Sequence, residues 1–474
     1  MSREAENSVI CLTMVTHACI KVEGDFGALL CDPWLINEPV YNFTTWKFPD
    51  VRMSPEEVLD GVTHVFISHG HEDHFHVPSL DLIPRDVTLL LPEYSWHPGL
   101  RAQTIEMTMR RLGFYNIRKI MPWESVDLGG DLKLTFLPAA ESKPQDWENC
   151  ALAIDHPTAS ILNINDCPTD DMFYRRLNER FDHFDIALVQ YAGVSSFPGR
   201  FKFAEEEMRE MVRNKRANFD EQDRAVKNLN VDYIVPFAGD FCWLDDTMLH
   251  CNWACRATPV LFEDWCQQHY AERDFEIAYM YPSDKWTRDG GFTHNHPEIA
   301  WDNYLEEIDA LKKRKQDKIN ALKKWFAESD RQDLHQRTAL YLEKMNRFTC
   351  REFINFTASI RFTISGDDAG FSFILTADPE GGFHAGFDDQ RSTDHTCHLT
   401  QEQWASVLAG KIMFNNLHWT GVIDQLSEFR PDMALFWWWL EYYADLTNRG
   451  PQVILQPQQF SDGIGRTEPQ LGVF

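Results

Sequence analysis

Short apolar runs, several rich in β-branched residues and broken by polar or turn-forming positions, recur through the first half of the chain and predict strands. Val9–Val15 and Ala18–Val22 are two such runs, and Ala28–Cys31 is a third that stops at Asp32-Pro33-Trp34. Thr63–Ser68, Val87–Leu91, Tyr115–Met121, Leu132–Leu137, Ala151–Ile154 and Ser160–Asn165 extend the series. The period turns helical over Ala102–Leu112 and again, with many charges, over Phe203–Asn228, before a late strand at Tyr233–Pro236. Strands that alternate first with turns and then with helices, twice over, predict two sheets flanked by helices in a sandwich.

After Pro297 the pattern changes. Trp301–Met345 is charged, helix-periodic and poor in Gly and Pro, which predicts a helical connector. Its Lys312-Lys313-Arg314-Lys315 run reads as a solvated helix face. Ser359–Ile364 and Phe371–Leu375 then read as strands and Gln401–Phe436 as helices, a smaller α+β unit. The expected division is 1–300, 301–345 and 346–474, with Gln456–Phe474 a loose tail.

With 43% hydrophobic and 25% charged residues in a chain of 474, the composition is that of a globular protein. The net charge of −28 repels nucleic acid and anionic membrane. An anionic substrate would therefore need a local basic pocket. Arg200, Lys202 and Lys285, in loop-like segments, are candidates to line one, against the plainer alternative of solvated surface. The 11 cysteines show no C-x-x-C spacing, which suits reduced thiols. The start is polar and acidic, and no apolar run reaches the length of a membrane span, so a cytoplasmic location is expected. The 16 tryptophans and 33 phenylalanines either pack cores or line a pocket for a sizeable small molecule.

The concentrated chemistry lies in Ser68-His69-Gly70-His71-Glu72-Asp73-His74, directly after the apolar run Val65-Phe66-Ile67. In the loop that ends a buried strand, His69 and His71 could hold one metal ion while Asp73 and His74 hold a second. Imidazole with carboxylate suits zinc, iron or manganese; calcium and magnesium would take oxygen almost alone. A histidine-rich loop without metal is the alternative. Asp32, where a strand stops, either orients a ligating imidazole or caps its own strand. Asp166 is a second carboxylate at a strand end.

Together these residues resemble the metallo-β-lactamase superfamily, over roughly residues 8 to 300. The resemblance implies an αββα sandwich with a dinuclear metal site at the sheet edges. It maps His69 and His71 to the first ion, Asp73 and His74 to the second, and Asp166 to the bridge between them. Hydrolytic members carry a further histidine where this chain reads Leu137–Ser142, and Glu141 is the residue expected at the metal there. They carry another in a P-x-H position where Pro236-Phe237-Ala238 has alanine, which leaves His250 or Asp240 as substitutes. Carboxylate in place of imidazole makes a site harder and more negative, which favours iron and oxygen chemistry over the neutral-ligand zinc sites of hydrolases.

Di-iron hydroxylases of this superfamily look similar in having glutamate at that place. A further likeness is to the cytidine-monophosphate-N-acetylneuraminic acid hydroxylase family, through Asn165-Asp166-Cys167, Ser196-Phe197-Pro198-Gly199, Lys227-Asn228-Leu229 and Pro236-Phe237-Ala238-Gly239. It continues weakly around Arg430-Pro431-Asp432 and Phe436-Trp437-Trp438. That family carries a Rieske cluster on two Cys-x-His or Cys-x-x-His pairs. This chain lacks two such pairs, so its electrons are expected from a separate ferredoxin or reductase. The resulting expectation is a dinuclear iron oxygenase with two iron ions (alternatively zinc or manganese), O2 as co-substrate and Asp166 and Glu141 as the catalytic carboxylates. A metal-dependent hydrolase of a phosphodiester, lactone or amide is the alternative, and a binding protein with a degenerate site is the third class.

Overall fold

The computed structural model describes residues 9–93, 100–140, 149–216, 219–347 and 354–425 (355, 367–369, 388–390 and 415 excepted), with 433, 436, 437 and 440. The first sheet begins with the meander β1 (Cys11–Thr16), β2 (Cys19–Gly24) and β3 (Gly27–Cys31). A short strand, β4 (Thr45–Lys47), stands outside it. β5 (Val62–Phe66), β6 (Thr88–Pro92) and β7 (Ile117–Ile120) then add parallel to β3, each after a crossover.

The second sheet runs β8 (Ser125–Gly129), β9 (Leu132–Pro138), β10 (Cys150–His156), β11 (Ala159–Asn165), β12 (Phe184–Gln190) and β13 (Val231–Phe237). β11, β12 and β13 are parallel. β14 (Phe241–Trp243) pairs with β4, β15 (Glu276–Ile277) with β13, and the hairpin β16 (Lys285–Thr287) and β17 (Gly291–Thr293) extends the first sheet beside β1.

Leu12, Met14, Ile20 and Leu29 from the first sheet meet Phe136, Leu152, Ile161 and Leu188 from the second in one buried cluster. Such side chains contribute roughly 1.5–3 kcal/mol each on full burial. The outer faces carry their own cores. Leu80, Met109 and Phe114 cover the first sheet, and Phe173, Val226 and Phe262 the second. Two sheets face to face with helices outside is the sandwich expected from the alternation of elements.

The helical stretch expected over Phe203–Asn228 is two helices, Glu205–Arg216 and Asp220–Asn228, separated where Phe219 takes a left-handed φ of 42°. The connector likewise breaks into Tyr304–Arg314, Gln316–Ala327 and Leu334–Arg347. A mixed sheet of β18 (Ala358–Ser365), β19 (Phe371–Asp378), β20 (Gly382–Phe387), β21 (His395–Thr400) and β22 (Val422–Gln425) follows. The stretch expected as helices over Gln401–Phe436 holds the helices Gln401–Leu408 and Leu417–Thr420, but also the strand β22.

Candidate metal centre

β1, β3 and β5 of one sheet run in the same direction, as do β11, β12 and β13 of the other, and the residues that follow several of these strands meet at one rim. The backbone turns sharply there. His17 after β1, Asp32 after β3, Asn165 at the end of β11 and Ala238 after β13 all have left-handed φ, between 42° and 51°. Non-glycine residues in that region are uncommon and gather at functional sites.

After β5 the loop closes on itself through bonds from the His74 and Phe75 amides to the His71 carbonyl, 3.1 and 2.7 Å. His69 Nε2 and His71 Nδ1 come within 2.7 Å, and the rings of His69 and His74 lie 4.2 Å apart. Asp166 Oδ2 sits 3.2 Å from His74 Nε2. Ligand atoms of His69, His71 and Asp166 all fall within 4.8 Å of one another, and so do those of His17, Asp73 and His74.

The hydrogen bonds fix where the protons are. His74 Nδ1 donates to Asp32 Oδ2 at 3.0 Å, which turns its Nε2 towards Asp166. Asp32 also accepts from the Ser68 amide and hydroxyl, both at 2.7 Å. The Ser68 hydroxyl in turn accepts from His69 Nδ1 at 2.9 Å, which turns His69 Nε2 towards His71 Nδ1. Asp32 therefore orients the His74 ring directly and the His69 ring through Ser68, the carboxylate–histidine arrangement found behind metal ions.

Two atoms test whether a cation fits. His74 Nε2 and Asp166 Oδ1 are buried and have no hydrogen-bond partner. Polar atoms are rarely left so in a protein interior, because the desolvation goes uncompensated. Electrostatics agree. Burial disfavours a charged His74, yet Asp73, Asp166 and Asp32 outweigh it and hold the ring well above the usual histidine pKa. Burial likewise opposes a charged Asp73, but His74, His17 and His71 keep its carboxylate below the ordinary range. The donor set suits a bound metal.

His17 is the residue that reading the sequence missed. Its Nδ1 accepts from the Asp240 amide at 3.2 Å, so the proton sits on Nε2 and is donated to Asp73 Oδ2 at 3.0 Å. An imidazole ligating through Nε2 would need its proton on Nδ1, where the Asp240 N–H points. His17 is thus an orienting donor for Asp73 rather than a further nitrogen ligand beside His74. Tyr41 donates its hydroxyl to the other oxygen, Asp73 Oδ1, at 2.6 Å. The only sequence signal for His17 is a histidine at the turn between two predicted strands.

The remaining candidates lie elsewhere. Glu141 lies outside the described residues. His250 is not brought to the cluster: it precedes the helix Cys251–Ala254 and its Nε2 donates to the Gly199 carbonyl at 2.6 Å. The Asp240 side chain accepts from Tyr191 at 3.2 Å, and burial raises its pKa to about 6, against the pull of His17 and Arg256. Arg200 is buried and spends its guanidinium on the carbonyls of Thr420 and Gly421, so it pins the C-terminal region. Lys202 is exposed and lies 3.4 Å from Asp424, and Lys285 is exposed on β16 opposite Thr13. None of these three basic residues forms a pocket at the rim. One Cys-x-x-His spacing does occur, Cys266–His269, but on a helix where His269 bonds the Trp265 carbonyl at 2.8 Å.

Residues 29–218 match the beta-lactamase superfamily domain. With the sandwich and the rim cluster, this makes that part of the chain a domain of the metallo-β-lactamase fold, as the motif led one to expect. Among named relatives, the chain is 25% identical over 251 residues to a protein of Mycolicibacterium smegmatis provisionally named a Rieske 2Fe-2S iron–sulfur protein, covering 51% of this chain and 46% of the relative. It is 26% identical over 255 residues to the cytidine monophosphate-N-acetylneuraminic acid hydroxylase of Danio rerio, covering 50% of this chain and 40% of the hydroxylase. The matched stretch spans less than half the length of either relative. A solved structure of CmlA, a diiron β-hydroxylase from Streptomyces venezuelae, aligns with a TM-score of 0.38 at 16% identity, over 59% of this chain and 54% of that one. No helix among the described residues is long and apolar enough to cross a membrane.

Proposed function

We propose that the chain is a dinuclear non-haem iron oxygenase that hydroxylates or N-oxygenates a small molecule. The observation that carries this reading is the convergence of His69, His71 and His74 with Asp73 and Asp166 around two orphaned atoms, His74 Nε2 and Asp166 Oδ1. In this reading His69 and His71 hold the first ion, Asp73 and His74 the second, and Asp166 lies between. Glu141 adds a further carboxylate to the first. The preference for iron over zinc is supported by the share of carboxylates and by alanine at position 238, where a hydrolase would offer imidazole. The hydroxylase named among the relatives supports the same choice.

When bound, a reduced iron pair supplies electrons to O2. The chain's own residues hold the pair in register: Asp32 fixes the His74 ring, and Ser68 passes the same constraint to His69. Hydroxylation of a C–H bond by O2 consumes two electrons and two protons and releases water, so a separate ferredoxin or reductase must deliver the electrons. A metal-dependent hydrolase is the second reading, favoured by Asp166 Oδ1, which stands free to orient an attacking water.

Metal analysis and spectroscopy of protein from iron-supplemented cells test the choice. About two irons per chain, with visible absorption bleached by dithionite and O2 uptake on re-oxidation, is the outcome expected. Colourless protein that holds zinc and cleaves a generic phosphodiester would favour the hydrolase. Glu141→His should shift retained metal from iron towards zinc; unchanged metal content would remove Glu141 from the ligand set.

A further inference from the structure

We infer that the C-terminal region positions Tyr41 on the Asp73 carboxylate, so that uptake of the second ion depends on contacts from 344 to 378 residues away in sequence. This rests on the two-ion reading above. The turn Tyr41-Asn42-Phe43 has φ of 53°, 58° and 62° in succession. Left-handed conformation is ordinarily visited by single residues, and of these three only asparagine takes it readily. Something outside the turn must hold it.

Each residue of the turn has a distant anchor. The Asn42 amide group donates to the Met413 carbonyl and Thr420 Oγ1, both at 2.9 Å, and its oxygen accepts from the Met413 amide at 2.7 Å. The Phe43 ring meets the edges of Trp325 and Phe326 in the connector, 5.6 and 5.9 Å between centroids. The Tyr41 amide donates to Glu72 Oε2 at 2.6 Å, and Glu72 is itself held through Oε1 by the Asn416 amide at 2.5 Å. Glu72 occupies the variable place between His71 and Asp73, so the metal loop is tied to the C-terminal region from within its own motif.

Packing alone does not fix the turn. A cavity of about 420 Å³ lies against it, lined in part by Asn42, Phe43, Trp46 and Thr420. The polar anchors therefore set where Tyr41 stands, and Tyr41 sets where Asp73 Oδ1 points. Tyr41 is a positioning residue in this scheme, with Asn42 acting through it.

The test is a titration of the full chain with cobalt(II), whose visible absorption reports the surroundings of each ion, read beside elemental analysis. Tyr41→Phe removes only the hydroxyl. Asn42→Gly removes the anchor yet tolerates positive φ, so it keeps the fold. Each single variant should bind the first ion as the parent does and the second about 10-fold more weakly, the lower end of what loss of an outer-shell partner costs. The double variant should be no weaker than Tyr41→Phe, because both changes act on one contact. Second-ion affinity unchanged in Asn42→Gly, or losses that multiply in the double variant, overturns the inference. A parent chain that takes up fewer than two ions overturns the two-ion reading and this inference with it, a result distinct from two tight ions in every variant.

Discussion

The two halves of the candidate centre are built differently. Around His69 and His71 the two imidazoles come from one loop, and the hydrogen bonds behind His69 run to Ser68 next door and Asp32 on the neighbouring strand end. Around Asp73 the support is gathered from across the molecule: His17 from the first hairpin, Tyr41 from a strained turn, the Asp240 amide behind His17, and the C-terminal Asn416 behind Glu72. The first half follows once the sandwich forms. The second also needs the C-terminal region docked. On the two-ion reading, such a division would keep a first ion firmly while the second responds to its surroundings.

The substitution that should erase the difference is Asp166→Ala, since Asp166 belongs to the first group and also faces His74 of the second. Affinity for both ions should fall by more than about 100-fold, beyond what outer-shell changes cause; retention of either ion on a desalting column would show that Asp166 is not shared. Asp32→Asn comes next. Asp32 accepts on both oxygens and asparagine on one, so its NH2 must face either the Ser68 amide or the pair formed by the Ser68 hydroxyl and His74 Nδ1; the loop shifts and second-ion affinity should drop roughly 10- to 100-fold. His17→Ala should weaken the second ion about 10-fold and leave the first unchanged, because it removes a donor to Asp73 and no ligand. If His17→Ala instead abolishes the second ion, His17 is a ligand and its tautomer is the reverse of that drawn from the Asp240 amide.

The same contrast explains what could be read in the sequence. His69, His71, Asp73 and His74 are legible because their spacing is local and follows an apolar run; Asp32 and Asp166 are legible because each ends a strand. His17 carries no such mark. It matters only because β1 and β5 end at one rim, a consequence of sheet order that a single strand does not reveal. Arg200 misled for the reverse reason. A lone arginine in a loop-like segment suggests an anion site, yet here carbonyl oxygens from Thr420 and Gly421 absorb its hydrogen bonds. In the C-terminal region β21 went unread because His395-Thr396-Cys397-His398 is polar by composition, although the strand is largely buried beside β18. β22 lies within a stretch whose pattern predicts helix, and Gly421, where the chain turns extended after Leu417–Thr420, is the stop that separates the two.

The smallest effect expected at the metal centre is that of Asp240→Asn, and it separates side chain from backbone in the second half. Asp240 reaches His17 through its amide N–H, which asparagine retains, so affinity for either ion should stay within about threefold of the parent, the range of ordinary context effects. Stability should change with pH instead. Burial lifts the Asp240 carboxyl from 3.8 to about 6 in the folded chain. Between those values the folded state holds a proton that the unfolded state has lost, so this group's contribution to stability declines as pH rises through the window. Above it the folded chain carries a buried charge at a cost that asparagine avoids, while the asparagine oxygen still accepts from Tyr191. Thermal midpoints of the metal-free proteins should therefore coincide near pH 4 and diverge by pH 7, the variant standing higher by roughly 1–3 °C. Equal midpoints at both pH values would mean that Asp240 is ionised throughout, and that His17 and Arg256 compensate its burial in full.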